Sequence, residues 1–199
     1  MSVVVHEFAH GYTAYLCGDN TAKNQGRLTL NPLKHLDLFG SIILPLFLIF
    51  TSAGFVIGWA RPVPYNPDNL RDKKKGTILV SIAGILANIF LAIVFGFLIR
   101  IAPHFIVPYS ADPLLLHPFY KISIIIVFTN LVLALFNLIP IPPLDGSKIL
   151  FALLPVKLRG IENFFERWGV FVLLFFIFFL WGFVTPLINI AFFLLTGLH

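Results

Sequence analysis

Charged residues and cysteine are scarce in this sequence. The first shortage indicates the class of protein, and the second excludes some kinds of cross-link and metal site. Only 12% of the 199 residues are charged, against about 25% in soluble domains. Hydrophobic residues make up 58%, and the mean hydropathy is +0.93. This composition indicates a polytopic membrane protein. The one cysteine, Cys17, excludes an internal disulfide and a zinc site built from cysteines, and we interpret it as a packing residue.

The net charge of +5 does not point to nucleic acid. Lysine and arginine fall in short loops beside apolar runs, where they serve to orient a protein in a membrane. We therefore expect the lipid bilayer as a partner, and no nucleic acid.

The apolar segments predict the membrane architecture; they lie at about 1–17, 38–58, 77–101, 120–141 and 169–196. Loops 59–76 and 145–168 are rich in lysine and arginine, whereas 102–119 has neither, so the first two should be cytosolic and the third external. Loop 18–37 is also basic. Segment 38–58 should then begin and end on the same side, as a re-entrant or hairpin element.

The predicted fold is all-α and multi-pass, with about four transmembrane helices, the hairpin element and short β-like pieces near 26–30 and 56–64. We treat 1–199 as a single integral-membrane domain. His6 lies only five residues from Met1, so we expect either that the first helix starts within the bilayer or that further sequence precedes it. No signal peptide is recognisable.

The segment His6-Glu7-Phe8-Ala9-His10 is the most informative part of the chain. Positions i and i+4 share one helix face, so His6 and His10 can reach the same zinc ion. Glu7 is placed to take a proton from a metal-bound water. Two satisfied core histidines would give the same pattern, but ionisable residues in membrane segments are costly and usually functional.

A catalytic zinc needs a third protein ligand and a fourth position open to water. The third histidine of metzincins would fall on Leu16, which excludes that class. Glu162 and Glu166 fit surface ion pairs. The remaining loop aspartates are expected to be solvated; these are Asp19, Asp37, Asp68 and Asp72.

Asp145 is the preferred third ligand. Prolines at 140, 142 and 143 stop the preceding helix, which frees the backbone to turn the Asp145 carboxylate back toward a neighbour. The predicted topology brings Asp145 to about the depth of His6 and His10. The alternative is an Asp-Gly turn just outside the membrane.

These motifs together resemble the site-2 protease family of intramembrane zinc metalloproteases. His6-Glu7-Phe8-Ala9-His10 matches its first zinc motif, and Leu144-Asp145-Gly146 resembles the second, which supplies the aspartate ligand. Segments 26–32 and 58–64 look like the small bacterial and archaeal branch without a PDZ or CBS domain. Segment 83–88 is similar to the third-helix motif, which usually has proline where Ile85 stands.

The resemblance implies a zinc-dependent intramembrane endopeptidase of a prokaryotic cell membrane, cutting transmembrane protein substrates near the cytosolic face. Zinc would be held by His6, His10 and Asp145, Glu7 would be the general base, and Asn88 would stabilise the oxyanion. For Asn88 an interhelical hydrogen bond is the alternative. For the whole chain the alternatives are a non-enzymatic zinc-binding or transport protein and an inactive scaffold. The sequence does not indicate an oligomeric state.

Overall fold

The structure, a computed structural model, describes residues 1–52, 54, 58–101, 118–155 and 158–198. Its described residues are mainly helical; the helices are α1 (Ser2–Leu16), α2 (Thr21–Asn24), α3 (Leu44–Phe50), α4 (Lys73–Ile101), α5 (Pro118–Leu138), α6 (Asp145–Leu153), α7 (Arg159–Phe175) and α8 (Trp181–Thr196). They form two compact units, Val3–Gly84 with Met1 and Ile85–His199 with Ser2. The boundary falls within α4, and the single domain stays a prediction.

Three described helical segments are long and apolar enough to cross a membrane: α4, α5 and the run Arg167–Thr196 that joins α7 to α8. The predicted number was about four, because it included the first apolar segment. With 15 residues, α1 extends about 22 Å, short of a hydrocarbon core of about 30 Å. The fourth span therefore stays a prediction. Most of the predicted external loop, 102–117, lies outside the described residues.

The described ends of segment 38–58 are joined by a hydrogen bond, and the re-entrant or hairpin element stays a prediction. A π-helical turn, Leu38–Ile43, leads into α3, and together they are too short to span a membrane. The Trp59 N–H then donates to the Gly40 carbonyl at 3.1 Å. This bond brings Trp59 next to the first turn of the segment.

The β-like pieces form no strand in the part of the chain that the structure describes. The backbone N–H groups of Trp59 and Arg61 donate to the carbonyls of Gly40 and His35, at 3.1 and 2.8 Å. Residues 59–61 thus pair locally with 35–40. Their link to the other predicted piece runs through a side chain, that of Arg27. Val56 and Ile57 lie outside the described residues.

Asp19, just after α1, is fully buried, so the prediction that it is solvated is wrong. Its carboxylate accepts hydrogen bonds from Thr21 N and Thr21 Oγ1, from Asn66 N at 2.7 Å and from Asn69 Nδ2 at 2.9 Å. Burial alone raises the pKa of Asp19, but these bonds outweigh it and hold the pKa below its ordinary value. The carboxylate therefore ties the end of α1 to the segment that precedes α4.

The second unit has an apolar core in which α4, α5 and α8 meet. Its buried members are Ala92, Ile99, Tyr120, Val127, Leu131 and Ile188. Asn130 of α5 is also buried, and its Nδ2 donates to Ile126 O at 2.8 Å and to Ser2 Oγ at 2.9 Å. These bonds satisfy its Nδ2 within an apolar helix, whereas its buried Oδ1 has no hydrogen-bond partner among the described residues.

Candidate metal centre

His6 and His10 lie on one face of α1, as their spacing predicts. Both side chains are buried, and their Nε2 atoms are 2.9 Å apart. The rings meet edge to face, with centroids separated by 4.5 Å. Two imidazole nitrogens therefore converge on the same point beside the helix.

The carbonyl of Val80 fixes which nitrogen of His10 carries a proton. His10 Nδ1 lies 2.7 Å from Val80 O on α4. A carbonyl oxygen can only accept, so Nδ1 must donate, and in a neutral imidazole the lone pair is then on Nε2. Histidines that bind metals are commonly held in this way by a carbonyl on the other ring nitrogen.

Space for a metal ion is preserved by Gly84, one turn after Val80 on α4. A Cβ at position 84 would lie 2.6 Å from ring atoms of both His6 and His10. Nitrogens bound to one tetrahedral zinc lie about 3.4 Å apart, from a bond length of about 2.0–2.1 Å. The rings would need to separate by only about half an ångström to fit zinc, and the absence of a side chain at Gly84 leaves room for them.

Glu7 points to the neighbouring face of α1. Its Oε2 accepts a hydrogen bond from the backbone N–H of Val63 at 2.8 Å. Val63 is buried and packs close to Gly11, one helical turn after Glu7. The segment around Val63 therefore lies along the Glu7 face of α1, and the carboxylate is oriented by a backbone amide.

Asp145, in the second unit, is the first residue of α6 and only 4% exposed. Helix α5 ends at Leu138, before the three prolines, as predicted. A Cβ on Gly146 would overlap the carbonyl oxygens of Leu138 and Ile139, so only glycine lets α6 begin this close to the end of α5. An exposed Asp-Gly turn is thus not what the chain forms here.

Lys148 accompanies Asp145 on α6. Its Nζ lies 2.9 Å from Asp145 Oδ1, and its own side chain is 40% exposed. Among the described residues, the buried histidine and carboxylate side chains are those of His6, His10, Asp19, His35 and Asp145. His35 lies on another segment, where its Nε2 is hydrogen-bonded to Thr29 O at 2.8 Å. The other buried carboxylate, that of Asp19, is occupied by the hydrogen bonds that tie it to the chain.

Asn88 is fully buried on α4. Val80, Gly84 and Asn88 follow one another by one turn, so they share a face of this helix. Ile85 replaces the proline that the family motif usually carries, and α4 runs through it as a regular helix. The departure from the motif therefore does not interrupt the helix before Asn88.

Three of these contacts were not predicted from the sequence: the Val63 amide on Glu7, the Val80 carbonyl on His10, and Lys148 on Asp145. The first two involve backbone atoms, which nearly all residue types carry, so no side-chain pattern reveals them. The third could have been found, because residues i and i+3 on a helix are neighbours and Lys148 follows Asp145 at that spacing.

Comparisons with known proteins agree with this chemistry. The sequence model of peptidase family M50 matches residues 101–180. The chain is 44% identical to "Putative zinc metalloprotease YwhC" of Bacillus subtilis over 192 residues, covering 94% of this chain and 78% of that protein. It is 30% identical to "Putative zinc metalloprotease Rip2" of Mycolicibacterium smegmatis over 193 residues, covering 97% and 67%. No solved structure gives a significant match.

Proposed function

This chain belongs to peptidase family M50, the site-2 protease family, and is a zinc metalloprotease; on that premise we propose that it cuts transmembrane protein substrates inside the membrane, near the cytosolic face. The observation that carries the proposal is the pair His6 and His10. Their Nε2 atoms converge beside α4, a helix long enough to span a membrane.

In the proposed site, His6, His10 and Asp145 hold the zinc, and a fourth position stays open for water. Three features support this set: the convergent imidazoles, the Val80 carbonyl that keeps the His10 lone pair on Nε2, and the burial of Asp145 at the start of a helix. Two nitrogens and a carboxylate oxygen form a donor set typical of catalytic zinc.

Bound zinc supplies Lewis acidity, which acidifies water and polarises a peptide carbonyl. In our proposal Glu7 accepts a proton from the attacking water and passes it to the leaving amine. The Val63 N–H holds Oε2, so Oε1 is the proton acceptor. Asn88 donates its side-chain N–H to the oxyanion that forms on the carbonyl oxygen.

The substrate class follows from the surroundings of the histidines. A transmembrane helix hides its carbonyls in i to i+4 hydrogen bonds, so it must unwind locally before attack. Basic loops flank α4 on its N-terminal side, at 59–76, which favours a cytosolic location for that end. We therefore propose cleavage near the cytosolic ends of single-pass proteins, helped by residues that weaken helices.

Glu7→Gln tests the catalytic assignment. The amide keeps the size of the side chain and can still accept from Val63 N–H, but it cannot take a proton from water. We expect unchanged zinc content, measured by mass spectrometry of the metal, together with loss of cleavage. Glu162→Gln is the matched control and should cleave normally. Normal cleavage by Glu7→Gln would contradict the role of Glu7 as the general base.

A reporter helix tests the substrate class. The full chain is reconstituted in lipid with one reporter in two forms, one stabilised and one weakened by Gly, Pro or Asn near the cut. These residues destabilise a helix by roughly 0.5 to 3 kcal/mol each. The weakened form should be cut faster. Equal rates, or faster hydrolysis of an unstructured soluble peptide, would contradict intramembrane cleavage.

A further inference from the structure

A cavity of about 420 Å³ lies beside the segment that holds Glu7. Three cationic side chains line it, those of Arg27, Lys34 and Arg61, and no carboxylate does so among the described residues. Its other walls are mainly apolar and include Leu33, Leu36 and Pro62. A cavity of this size can hold a small molecule or a lipid headgroup, and its charge favours an anion.

The positive charge in the cavity is incompletely balanced. Arg27 Nη2 donates to two neutral acceptors, Arg61 O at 3.0 Å and Pro62 O at 3.3 Å. Its Nε is buried and has no hydrogen-bond partner among the described residues. Burial, followed by the charge of Arg61, lowers the pKa of Arg27, and Glu7 opposes that shift. A bound anion would offset this repulsion between Arg27 and Arg61.

Exposed apolar side chains surround the cavity on the chain that forms it. Leu33 is 72% exposed and Leu38 is 69% exposed, and Leu36 and Phe39 are also exposed. The row continues along Leu38–Phe50, whose large apolar side chains are mostly exposed. The exposed apolar side chains would not contribute to binding an inorganic anion. A lipid, in contrast, needs an apolar surface for its chains directly beside a charged site for its headgroup.

We propose that this cavity binds the phosphate of an anionic phospholipid, with the acyl chains lying along the exposed leucines. Arg61 and Lys34 contact the phosphate. Arg27 fixes the position of residues 61–62 in the cavity wall through its hydrogen bonds to their carbonyls. The lipid site and the proposed base are on opposite sides of one extended segment, because Val63 N–H bonds to Glu7 while its neighbours line the cavity. Lipid binding goes beyond the proposed proteolysis and does not depend on it.

The test measures lipid binding to the full zinc-loaded chain by native mass spectrometry. The probes are phosphatidylglycerol, which is anionic, and phosphatidylcholine, which is zwitterionic. The lining variant is Lys34→Gln with Arg61→Gln. The control removes the same charge elsewhere, with Lys74→Gln and Lys121→Gln, both exposed and outside the cavity. Zinc content and melting temperature establish that each variant is folded.

We expect wild type to prefer phosphatidylglycerol. At about 1 kcal/mol per cation, each lining substitution should weaken its binding about fivefold, or about 25-fold together. The control should bind as wild type does. If the double variant fails to fold, Lys34→Gln alone, with its exposed side chain, should still show the fivefold loss.

Three results would overturn the proposal. Equal binding of the two lipids would show that the cavity does not select anionic headgroups. Displacement of phosphatidylglycerol by excess inorganic phosphate would identify a free-anion site. Unchanged lipid binding in the lining variant, with slower cleavage only of acidic reporters, would identify a site for substrate carboxylates.

Discussion

His10 Nδ1 lies 2.7 Å from the carbonyl oxygen of Val80 and is thereby committed as a donor. Its lone pair is left on Nε2, the atom that faces His6. Both histidines belong to α1, but residues of α4 determine which His10 nitrogen carries the proton and how much space the two rings have. Substitutions on α4 should therefore change zinc binding without touching a ligand.

Gly84→Ala should weaken zinc binding. Its Cβ would lie 2.6 Å from ring atoms of His6 and His10, so the imidazoles must shift. We expect an affinity loss of about 10- to 100-fold, as for other changes to residues that support metal ligands. Competition with a chromogenic chelator measures it. Gly182→Ala is the control, because a Cβ added at this helical position would have no heavy atom of a neighbouring element within 4 Å. Equal affinity in both variants would contradict the placement of the ion.

Asp145→Ala should abolish stoichiometric zinc, as should His6→Ala and His10→Ala, because two ligands do not retain catalytic zinc. Asp68→Ala is the control, since Asp68 is an exposed acid paired with Lys73. Elemental analysis of the purified protein gives the answer. Full zinc occupancy in Asp145→Ala would show that another residue is the third ligand.

Lys148→Met tests the support of that ligand. Lys148 Nζ contacts Asp145 Oδ1 at 2.9 Å and helps to orient the carboxylate. Its loss should lower zinc affinity by about tenfold or more, while saturating zinc still restores one ion per chain. Lys74→Met, on an exposed helix start, removes a similar side chain and should change nothing. An affinity equal to wild type would mean that the ion pair does not support metal binding.

Val63→Pro should slow cleavage without loss of zinc. Proline has no N–H, so Glu7 Oε2 loses the amide that orients it. Displacement of a catalytic group by about 1 Å can cost about 100-fold, and we expect a fall in kcat of that order. Val63→Ala is the matched control, because it loses side-chain packing but keeps the amide. If both variants slow equally, packing and not the hydrogen bond positions Glu7.

Asp19→Asn should destabilise the fold in a pH-dependent manner. The folded-state pKa of Asp19 lies below its ordinary value, so its contribution is fully present above the unfolded pKa of about 3.9 and disappears as the pH falls through the folded pKa. At neutral pH we expect a loss of about 2 kcal/mol, a typical value for hydrogen bonds to a charged group. Melting curves should converge with wild type in acid. Asp68→Asn, exposed, should show no such convergence.

Periodicity and composition predicted much of the candidate site. The i, i+4 spacing placed His6 and His10 on one face, and the prolines after residue 139 correctly ended α5 before Asp145. Hydropathy located α4 and α5, because a long apolar segment in a membrane satisfies its backbone hydrogen bonds by forming a helix.

Other features could not be predicted from one sequence. Asp19 stands in a polar loop and looked solvated, yet it is surrounded by donors from the nearby Thr21 and from the distant segment 66–69. The pairing of residues 59–61 with 35–40 depends on the path of the chain between them, which periodicity does not describe. In each case the decisive partner is remote along the chain, and is a backbone group or a side chain of unremarkable type.

The amide of Val63 also bears on how this enzyme can be redesigned. Every amino acid except proline supplies that N–H, so the hydrogen bond to Glu7 does not itself require a particular side chain. Arg61 and Pro64, which line the cavity, can therefore be substituted while the Val63 N–H still donates to the Glu7 carboxylate. Libraries randomised at these outward positions should yield many active variants that differ in their response to the surrounding lipid.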